Sequence, residues 1–151
     1  MEYQEYCIAI NELLQSVSSK FATAANQQFA GHNLTSSQVG ILLLLDKTGA
    51  MKVSDIASEL NMRESNISNI CKRLESAGLV RRNRQADDQR VVKIELTAAA
   101  AEKMGGIKAS VNGFHLKMRE CVSETDLKEI HTGLLKLNRL FDIFFEVEGN
   151  A

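Results

Sequence analysis

Apolar side chains near both ends of the chain recur at steps of three and four residues, which places them on one face of an α-helix. Near the N-terminus, before a glycine stop at Gly31, they are Tyr3, Tyr6, Ile10, Leu13, Val17, Phe21 and Ala24. Near the C-terminus, after Ser123 as a helix cap, they are Leu127, Ile130, Leu134, Leu137, Phe141 and Phe144. The second series alternates the two step lengths and so forms a heptad seam. The chain contains no proline, which permits long helices at both ends.

Shorter helices are predicted between these two ends. Thr35 and Gln38, three residues apart, match a capping box at the start of a helix that closes near Gly49. A short helix over "SDIASELN" follows, and after a tight turn a third helix over "ESNISNICKRLESAG" ends at Gly78. The buried stripe predicted for this third helix is Ile67, Ile70, Cys71 and Leu74.

Two stretches after the third helix have β-type composition and alternation, residues 79–84 and 91–96, with the polar loop "QADDQR" between them. A long helix is predicted from residue 97 to about 122, although Gly105, Gly106 and Gly113 each weaken it by about 1 kcal/mol relative to alanine. The predicted fold is therefore mainly α with a small β-hairpin. Two short helices, a tight turn and a charged hairpin indicate a winged helix-turn-helix, flanked here by long terminal helices.

Charge is unevenly distributed along the chain. The 18 Lys and Arg residues are balanced by 19 Asp and Glu residues, so the protein is not basic overall. Residues 63–93 nevertheless contain eight basic and four acidic side chains, a net charge of +4 against −5 for the rest. A nucleic-acid role therefore depends on this local segment. The length of 151 residues suits one compact domain, or a small domain with helical extensions.

Several function classes lack their sequence signatures. The three cysteines, Cys7, Cys71 and Cys121, have no C-x-x-C spacing, which argues against a disulfide framework or a zinc knot and fits a reducing cytoplasm. The longest apolar run, "ILLLL", is too short to cross a bilayer, and no basic-then-apolar signal is present, so we expect a soluble cytoplasmic protein with no membrane partner. A Gly-rich phosphate loop and a nucleophile elbow are also missing, so we expect no enzyme activity and no cofactor.

The third helix has the chemistry of a DNA-reading element. An α-helix fits the major groove, where asparagine pairs bidentately with adenine, arginine or lysine pairs with guanine, and serine contacts bases or phosphates. The candidate DNA-binding residues on and just before this helix are Arg63, Ser65, Asn66, Ser68, Asn69, Lys72 and Arg73. Of these, Ser65, Asn66, Asn69 and Lys72 are the candidates for base edges. The alternative is that this polar face is only a solvated helix surface.

The hairpin supplies further candidate contacts, Arg84, Asp88 and Arg90. The arginine-rich strand would meet phosphates beside the reading helix. Asp88 lies two residues before Arg90, so its carboxylate can hold the guanidinium extended toward a narrow minor groove. The alternative is a surface ion pair worth about 0 to 1 kcal/mol and nothing more.

Four ordered motifs give the chain a family resemblance. They are Leu34, Thr35 and Gln38 in an L-T-x-x-Q opening; Leu74, Glu75, Gly78, Leu79 and Val80 in L-E-x-x-G-L-V; Asp88 and Arg90 in a D-x-R wing; and Leu96 with Thr97 in a closing L-T. This run of about sixty residues closely resembles the MarR family of bacterial transcriptional regulators. The flanking helices agree with that family in length and order.

The resemblance implies an obligate homodimer that binds a palindromic operator in double-stranded DNA, usually to repress, and is often released by a small-molecule effector or an oxidant. It implies a helical dimerisation region in residues 1–31 and 97–151 and a winged helix-turn-helix in residues 32–96. The expected dimerisation residues are Tyr6, Ile10, Leu127, Ile130, Leu134, Leu137, Phe141 and Phe144. The dimer is also expected from the residues alone, because the heptad seam from Leu127 to Phe144 has more apolar surface than one helix can bury on so small a domain. The alternative is a last helix folded back onto the first.

Two positions depart from the family pattern. The family commonly has a serine or threonine cap where this chain has Arg63, and Asn61 with Glu64 three residues later is an alternative cap. The glycine usual after the closing L-T is replaced by alanines in "LTAAAAE". The first departure bears on which operator sequence is bound.

Other functional hypotheses remain open at this point. A winged-helix module that binds protein would have no need for the arginine-rich strand. A redox-sensing regulator or a stand-alone redox protein would work through Cys7, which lies roughly where the peroxide-sensing branch of the family keeps its reactive thiol. That branch tends to have a tyrosine where this chain has Ser36 and Ser37. Metal sensing is disfavoured because no two histidines lie at i, i+4.

Overall fold

A computed structural model describes residues 2–84 and 92–149 of the chain. Its helices are α1 (Tyr3–Phe29), α2 (Ser36–Thr48), α3 (Val53–Glu59), α4 (Glu64–Ser76), α5 (Ala98–Glu120) and α6 (Glu124–Gly149), and its strands are β1 (Met51–Lys52), β2 (Val80–Arg84) and β3 (Val92–Leu96). A 3₁₀ turn, Ala30–His32, follows α1. The chain divides into two compact units, Met1–Asn112 and Gly113–Ala151. Within residues 2–84 and 92–149, no helix is long and apolar enough to span a membrane.

The predicted fold class is confirmed, and the sheet has one strand more than predicted. The three strands are antiparallel in the order β1-β3-β2. β2 and β3 form the predicted hairpin, with Arg81 opposite Glu95 and Arg82 opposite Ile94. β1 pairs with the far edge of β3, where Met51 lies opposite Ile94. A strand of two residues is too short to show a period of two, which is why the sequence did not predict it.

The hydrophobic core lies in the first unit and is built from α1, α2, α3, α4, the sheet and the first part of α5. The stripe predicted on α4 is confirmed, since Ile67, Ile70, Cys71 and Leu74 are all buried. Fully burying one large aliphatic side chain contributes roughly 1.5 to 3 kcal/mol. The fully buried side chains include Ile41, Leu42, Ile56, Ile67, Leu74, Ile94 and Ile107. This packing holds α4 against the rest of the winged region.

Two of the predicted helix caps are confirmed. Thr35 Oγ1 accepts a hydrogen bond from the Gln38 N–H at 3.3 Å, and the Gln38 side chain accepts one from the Thr35 N–H at 2.8 Å, which completes the capping box of α2. At the start of α6, Ser123 Oγ accepts from the Asp126 N–H at 3.1 Å. These bonds satisfy backbone donors that a helix start leaves without partners.

The alternative cap suggested for α4 is wrong. Asn61 has a φ of 50° and ends α3: its N–H donates to Ser58 O at 3.2 Å, and the next N–H, of Met62, donates to Ala57 O at 2.9 Å. That pair of bonds is a Schellman motif, which needs a left-handed residue that asparagine tolerates. The N-cap of α4 is Arg63, whose side chain makes no capping hydrogen bond.

Gly78 ends α4 in a second Schellman motif and turns the chain into β2. Its φ is 70°, its N–H donates to Glu75 O at 2.9 Å, and the Leu79 N–H donates to Leu74 O at 2.9 Å. Thr97 secures this turn from β3, because its hydroxyl donates to Gly78 O at 2.7 Å. The same Thr97 oxygen accepts from the Ala100 N–H at 3.2 Å and so caps α5.

The glycines of α5 do not interrupt it, since the helix is continuous from Ala98 to Glu120. A Cβ at Gly106 would lie 3.3 Å from His32 Cε1, so this glycine allows close packing of the His32 ring.

The second unit contains the end of α5 and all of α6.

We predict opposite effects of alanine at Gly78 and at Gly40. A Cβ would meet no atom within 4 Å at either position, so only the backbone conformation differs. Gly78→Ala should lower the free energy of unfolding by about 1 kcal/mol, because alanine is strained at positive φ. Gly40→Ala, within α2, should raise it by up to about 1 kcal/mol. Urea unfolding at one fixed protein concentration measures both, and a change of the same sign in the two variants would contradict this explanation of Gly78.

Candidate nucleic-acid interface

The outward face of α4 is fixed by the burial of its opposite face. With Ile67, Ile70, Cys71 and Leu74 in the core, the residues that point directly away from it follow at steps of four, three and four along the helix. They are Ser65, Asn69, Lys72 and Ser76, and all four are exposed. We call these four residues the reading stripe.

Members of the reading stripe differ in the polar groups that they have available. The Ser76 hydroxyl donates to Lys72 O of its own helix at 2.9 Å. This local hydrogen bond uses the hydroxyl proton of Ser76. Ser65 and Asn69 make no side-chain hydrogen bond, and Lys72 makes no ion pair, with any residue in the described part of the chain. Ser65, Asn69 and Lys72 therefore present an hydroxyl, an amide and an ammonium group to solvent.

The other residues predicted on α4 lie beside the stripe. Asn66 and Arg73, seven residues apart, are exposed along one flank. Ser68 lies on the other flank and is half-buried, which leaves it less accessible than the sequence suggested. Arg63 is exposed at the N-terminus of α4, where its carbonyl accepts the first helical bonds from the Asn66 and Ile67 N–H groups.

Two arginines of β2 are held by carboxylates, which charge counting alone did not predict. Arg81 Nε donates to Glu95 Oε1 across the hairpin at 2.7 Å. The same oxygen accepts from Asn83 Nδ2 at 3.3 Å, so both contacts lie on one face of the sheet. Arg82 Nε donates to Glu75 Oε2 of α4 at 3.2 Å. Neither arginine is therefore a free cation beside the reading helix.

The remaining predicted wing residues are described only in part. Arg84 is the last residue of β2 and pairs with Val92 in the backbone ladder. Asp88 and Arg90 lie outside the described residues. Their roles stay predictions from the sequence.

The cysteines differ in environment. Cys71 is buried in the core below α4, and this burial raises the pKa of its thiol, while the charge of Arg82 lowers that pKa and the charge of Glu75 raises it further. A buried thiol of raised pKa is a packing residue, as predicted. Cys7 and Cys121 are exposed free thiols.

A small crevice of about 230 Å³ opens beside the 3₁₀ turn that follows α1. It is lined by Gly31, His32, Leu34, Leu79, Lys103 and Ile107. Next to it, His32 Nε2 and Ser110 Oγ are hydrogen-bonded at 2.8 Å, which ties the turn to α5. The crevice has apolar walls and one ammonium group. Within residues 2–84 and 92–149, no three His, Cys, Asp or Glu side chains are grouped as metal ligands.

Both seams predicted for dimerisation are largely exposed on the single chain. On α1, Tyr6 is 52% and Ile10 is 43% exposed. On α6 the exposed seam residues are Leu127, Ile130, Leu134, Phe141 and Phe144, whereas Leu137 is half-buried. Apolar faces of this length are unusual on the surface of a monomer.

Comparison with protein families finds a match to the model described as MarR family over residues 34–92. The uncharacterized HTH-type transcriptional regulator YfiV of Bacillus subtilis is 31% identical over 113 residues, which cover 73% of this chain and 69% of YfiV. The HTH-type transcriptional regulator MgrA of Staphylococcus aureus is 26% identical over 141 residues, 92% of this chain and 91% of MgrA.

Solved structures with the same fold include several DNA complexes. A mutant MarR from E. coli complexed with operator DNA superimposes with a TM-score of 0.79 at 18% identity, covering 91% of this chain and 99% of that one. The MepR–DNA complex of S. aureus gives a TM-score of 0.76 at 21% identity, covering 85% and 96%. At these identities the likeness establishes the shared winged-helix fold.

Proposed function

Since this chain belongs to the MarR family, we propose that it represses transcription as a homodimer, binds a palindromic operator in double-stranded DNA and is released by an effector. The family relatives are transcriptional regulators. The chain is accordingly a DNA-binding regulator, and the prediction that it is not an enzyme is confirmed. Repression, the palindrome, the dimer and the effector are the proposed part.

The reading stripe is the single observation that carries the proposal. A rigid helix, packed on four apolar side chains, presents Ser65, Asn69 and Lys72 in one line. In the major groove, the Asn69 amide would accept a hydrogen bond from adenine N6 and donate one to adenine N7. Lys72 would donate to guanine. Asn66, a base-edge candidate from the sequence, lies with Arg73 on one flank of the stripe, where both would contact phosphates, as would Arg63 at the N-terminus of α4. Ser68, on the other flank, would contribute least because it is half-buried.

The wing would add contacts outside the major groove. Arg84 would meet a phosphate, and Arg90, held extended by Asp88, would enter the minor groove. This part of the proposal rests on the sequence pattern, in which an arginine-bearing segment, residues 79–84, is followed by a short polar loop that contains Asp88 and Arg90.

Dimerisation would cover the exposed seams. Residues 1–31 and 97–151 would form the dimerisation region, and residues 32–96 would form the winged domain. A two-fold axis would present two copies of α4 to two half-sites, which is why a palindrome is expected. The support for this proposal is the exposure of both seams on the single chain. A partner chain that covered them would remove a large apolar area from water.

An effector would bind in the crevice beside the 3₁₀ turn. Its volume is below the range of drug-sized pockets, so the effector would be small. Leu79, at the base of β2, lines the crevice and connects it with the DNA-binding elements. A ligand changes DNA affinity only if it binds the DNA-competent and incompetent states differently, and contact with the turn between α4 and β2 would provide that difference.

Retardation of native promoter fragments at low ionic strength tests the proposed function. We expect a shifted complex whose affinity falls steeply between about 50 and 200 mM salt, because each neutralised phosphate contributes a slope of about −0.9 in log affinity against log salt. Assays with and without reductant separate a redox effect from binding. No retardation of any fragment under either condition would overturn the proposal.

We predict that Asn69→Ala lowers operator affinity by about 1 to 3 kcal/mol while leaving nonspecific affinity almost unchanged. The physical reason is that an amide facing base edges contributes to sequence readout rather than to phosphate binding. Asn66→Ala, on the flank, is the matched control and should change both affinities by similar factors. Fluorescence anisotropy with operator and scrambled duplexes measures the ratio of operator affinity to nonspecific affinity. Equal ratios for the two variants would show that the stripe does not read bases.

We predict that Leu134→Glu produces a monomeric or poorly folded chain with little operator affinity, because a carboxylate replaces a seam residue. Leu135→Glu is the matched control, since the next residue lies about 100° around the helix and off the seam. Leu134 and Leu135 are 55% and 49% exposed on the single chain, so burial within one chain does not distinguish them. Light scattering after size exclusion gives the masses. A fully active dimer of Leu134→Glu would contradict the assigned seam.

A further inference from the structure

An ion pair joins the reading helix to the wing strand. Arg82 Nε of β2 and Glu75 Oε2 of α4 lie 3.2 Å apart, and their side chains are 35% and 41% exposed. Both residues lie outside the reading stripe. The pair therefore spans the junction between the two elements proposed to contact DNA, without belonging to the surface proposed to read bases.

We propose that Glu75 is a positioning residue for DNA binding: by holding Arg82, it sets the angle of β2 against α4 and so the spacing between the major-groove and wing contacts. This inference rests on the proposed function, because it concerns how the two elements meet one duplex. Glu75 itself would make no contact with DNA, and Arg82 would be a brace rather than a phosphate ligand.

The need for a brace follows from the geometry of the turn. The backbone bonds of Gly78, Leu79 and Thr97 secure the base of β2 against the end of α4. Farther along, the ladder joins β2 to β3 and not to α4. From Leu79 to Arg84 the strand extends about 17 Å at roughly 3.3 Å per residue. A tilt of about 5° at the turn would thus move the end of the strand by about 1.5 Å, more than the roughly 0.5 Å that a binding constellation tolerates. Arg82 lies about 10 Å along this lever, where a side-chain contact resists tilting more than one at the turn would.

The opposite face of the hairpin offers a matched comparison. Arg81 and Glu95 also form an arginine–carboxylate pair, with Nε and Oε1 2.7 Å apart. That pair joins β2 to β3 within the hairpin, and none of its hydrogen bonds reaches α4. Glu75→Gln and Glu95→Gln therefore remove the same charge and weaken the same kind of bond, but only the first loosens the wing from the reading helix.

Glu75 could act on DNA binding only through its charge, or it could position the wing. The two hypotheses predict changes of opposite sign in the operator affinity of Glu75→Gln. Removing a carboxylate near DNA raises affinity if electrostatics alone acts, and more so if Arg82 is thereby freed to bind a phosphate. If Glu75 positions the wing, Glu75→Gln instead lowers operator affinity, by about two- to fivefold, the scale of a partly shielded ion pair. Glu95→Gln should leave affinity unchanged or slightly raised.

The experiment measures operator affinity, its salt dependence and hydroxyl-radical footprints for the full-length chain, for Glu75→Gln and for Glu95→Gln. We expect Glu75→Gln to retain backbone protection beside the α4 contacts and to lose protection at the flanking positions. Arg82→Lys, which keeps the charge but loses the planar guanidinium, should behave like Glu75→Gln. The double variant Glu75→Arg with Arg82→Glu restores an ion pair at constant net charge and should recover most of the affinity.

Four results would overturn the positioning role. The first is a higher affinity of Glu75→Gln with a salt slope steeper by about 0.9, which would make Arg82 a masked phosphate ligand. The second is an equal effect of Glu75→Gln and Glu95→Gln, and the third is a charge-swapped variant that binds no better than Glu75→Gln. The fourth is loss of thermal stability in Glu75→Gln with an unchanged footprint, which would assign the pair to folding alone. The proposed function fails separately, if the unmodified chain binds no promoter fragment.

Discussion

The burial of one face of α4 is the constraint on which the proposed DNA-binding surface depends. Ile67, Ile70, Cys71 and Leu74 leave the helix no freedom to rotate, because turning it would expose apolar side chains at roughly 25 cal/mol per Å². The polar face is thereby oriented by packing on the opposite side, and within the described residues no polar side-chain contact of Ser65 or Asn69 is needed for it. Polar groups that read DNA must remain free of partners in the protein, so their direction has to be set by the apolar side of the same helix.

The turn after α4 transmits this orientation to the sheet. Gly78 adopts the left-handed conformation that closes the helix, and Thr97 bonds to its carbonyl while capping α5. The closing L-T motif thus has a physical meaning, since one hydroxyl secures the reading helix, the end of the hairpin and the start of the next long helix. Backbone bonds fix the base of β2, and the Arg82–Glu75 pair acts farther along the strand.

Helix positions, caps and the buried stripe could be predicted because each depends on residues close in sequence. Thr35 with Gln38 and the 3.6-residue period of α4 are local signals. The role of Asn61 was misjudged because the same residue type caps a helix start and closes a helix end, and only its φ of 50° distinguishes the two. The arginine pairs were missed because charge counting ignores register. Alternation along β2 does place Arg82 on the Val80 side, which was the available signal.

In the proposed homodimer, the long terminal helices and the short winged region would solve one geometric problem together. Half-sites of a palindrome repeat about 34 Å apart, one turn of the duplex, so two copies of α4 would have to be held at a comparable distance. Helices α1 and α6, of 27 and 26 residues, are each about 40 Å long. If these seams pair with a second chain, apolar contacts along such a length would fix the separation of two winged domains as well as their association. The exposure of the seams on one chain and the need for two copies of α4 would then have the same physical origin.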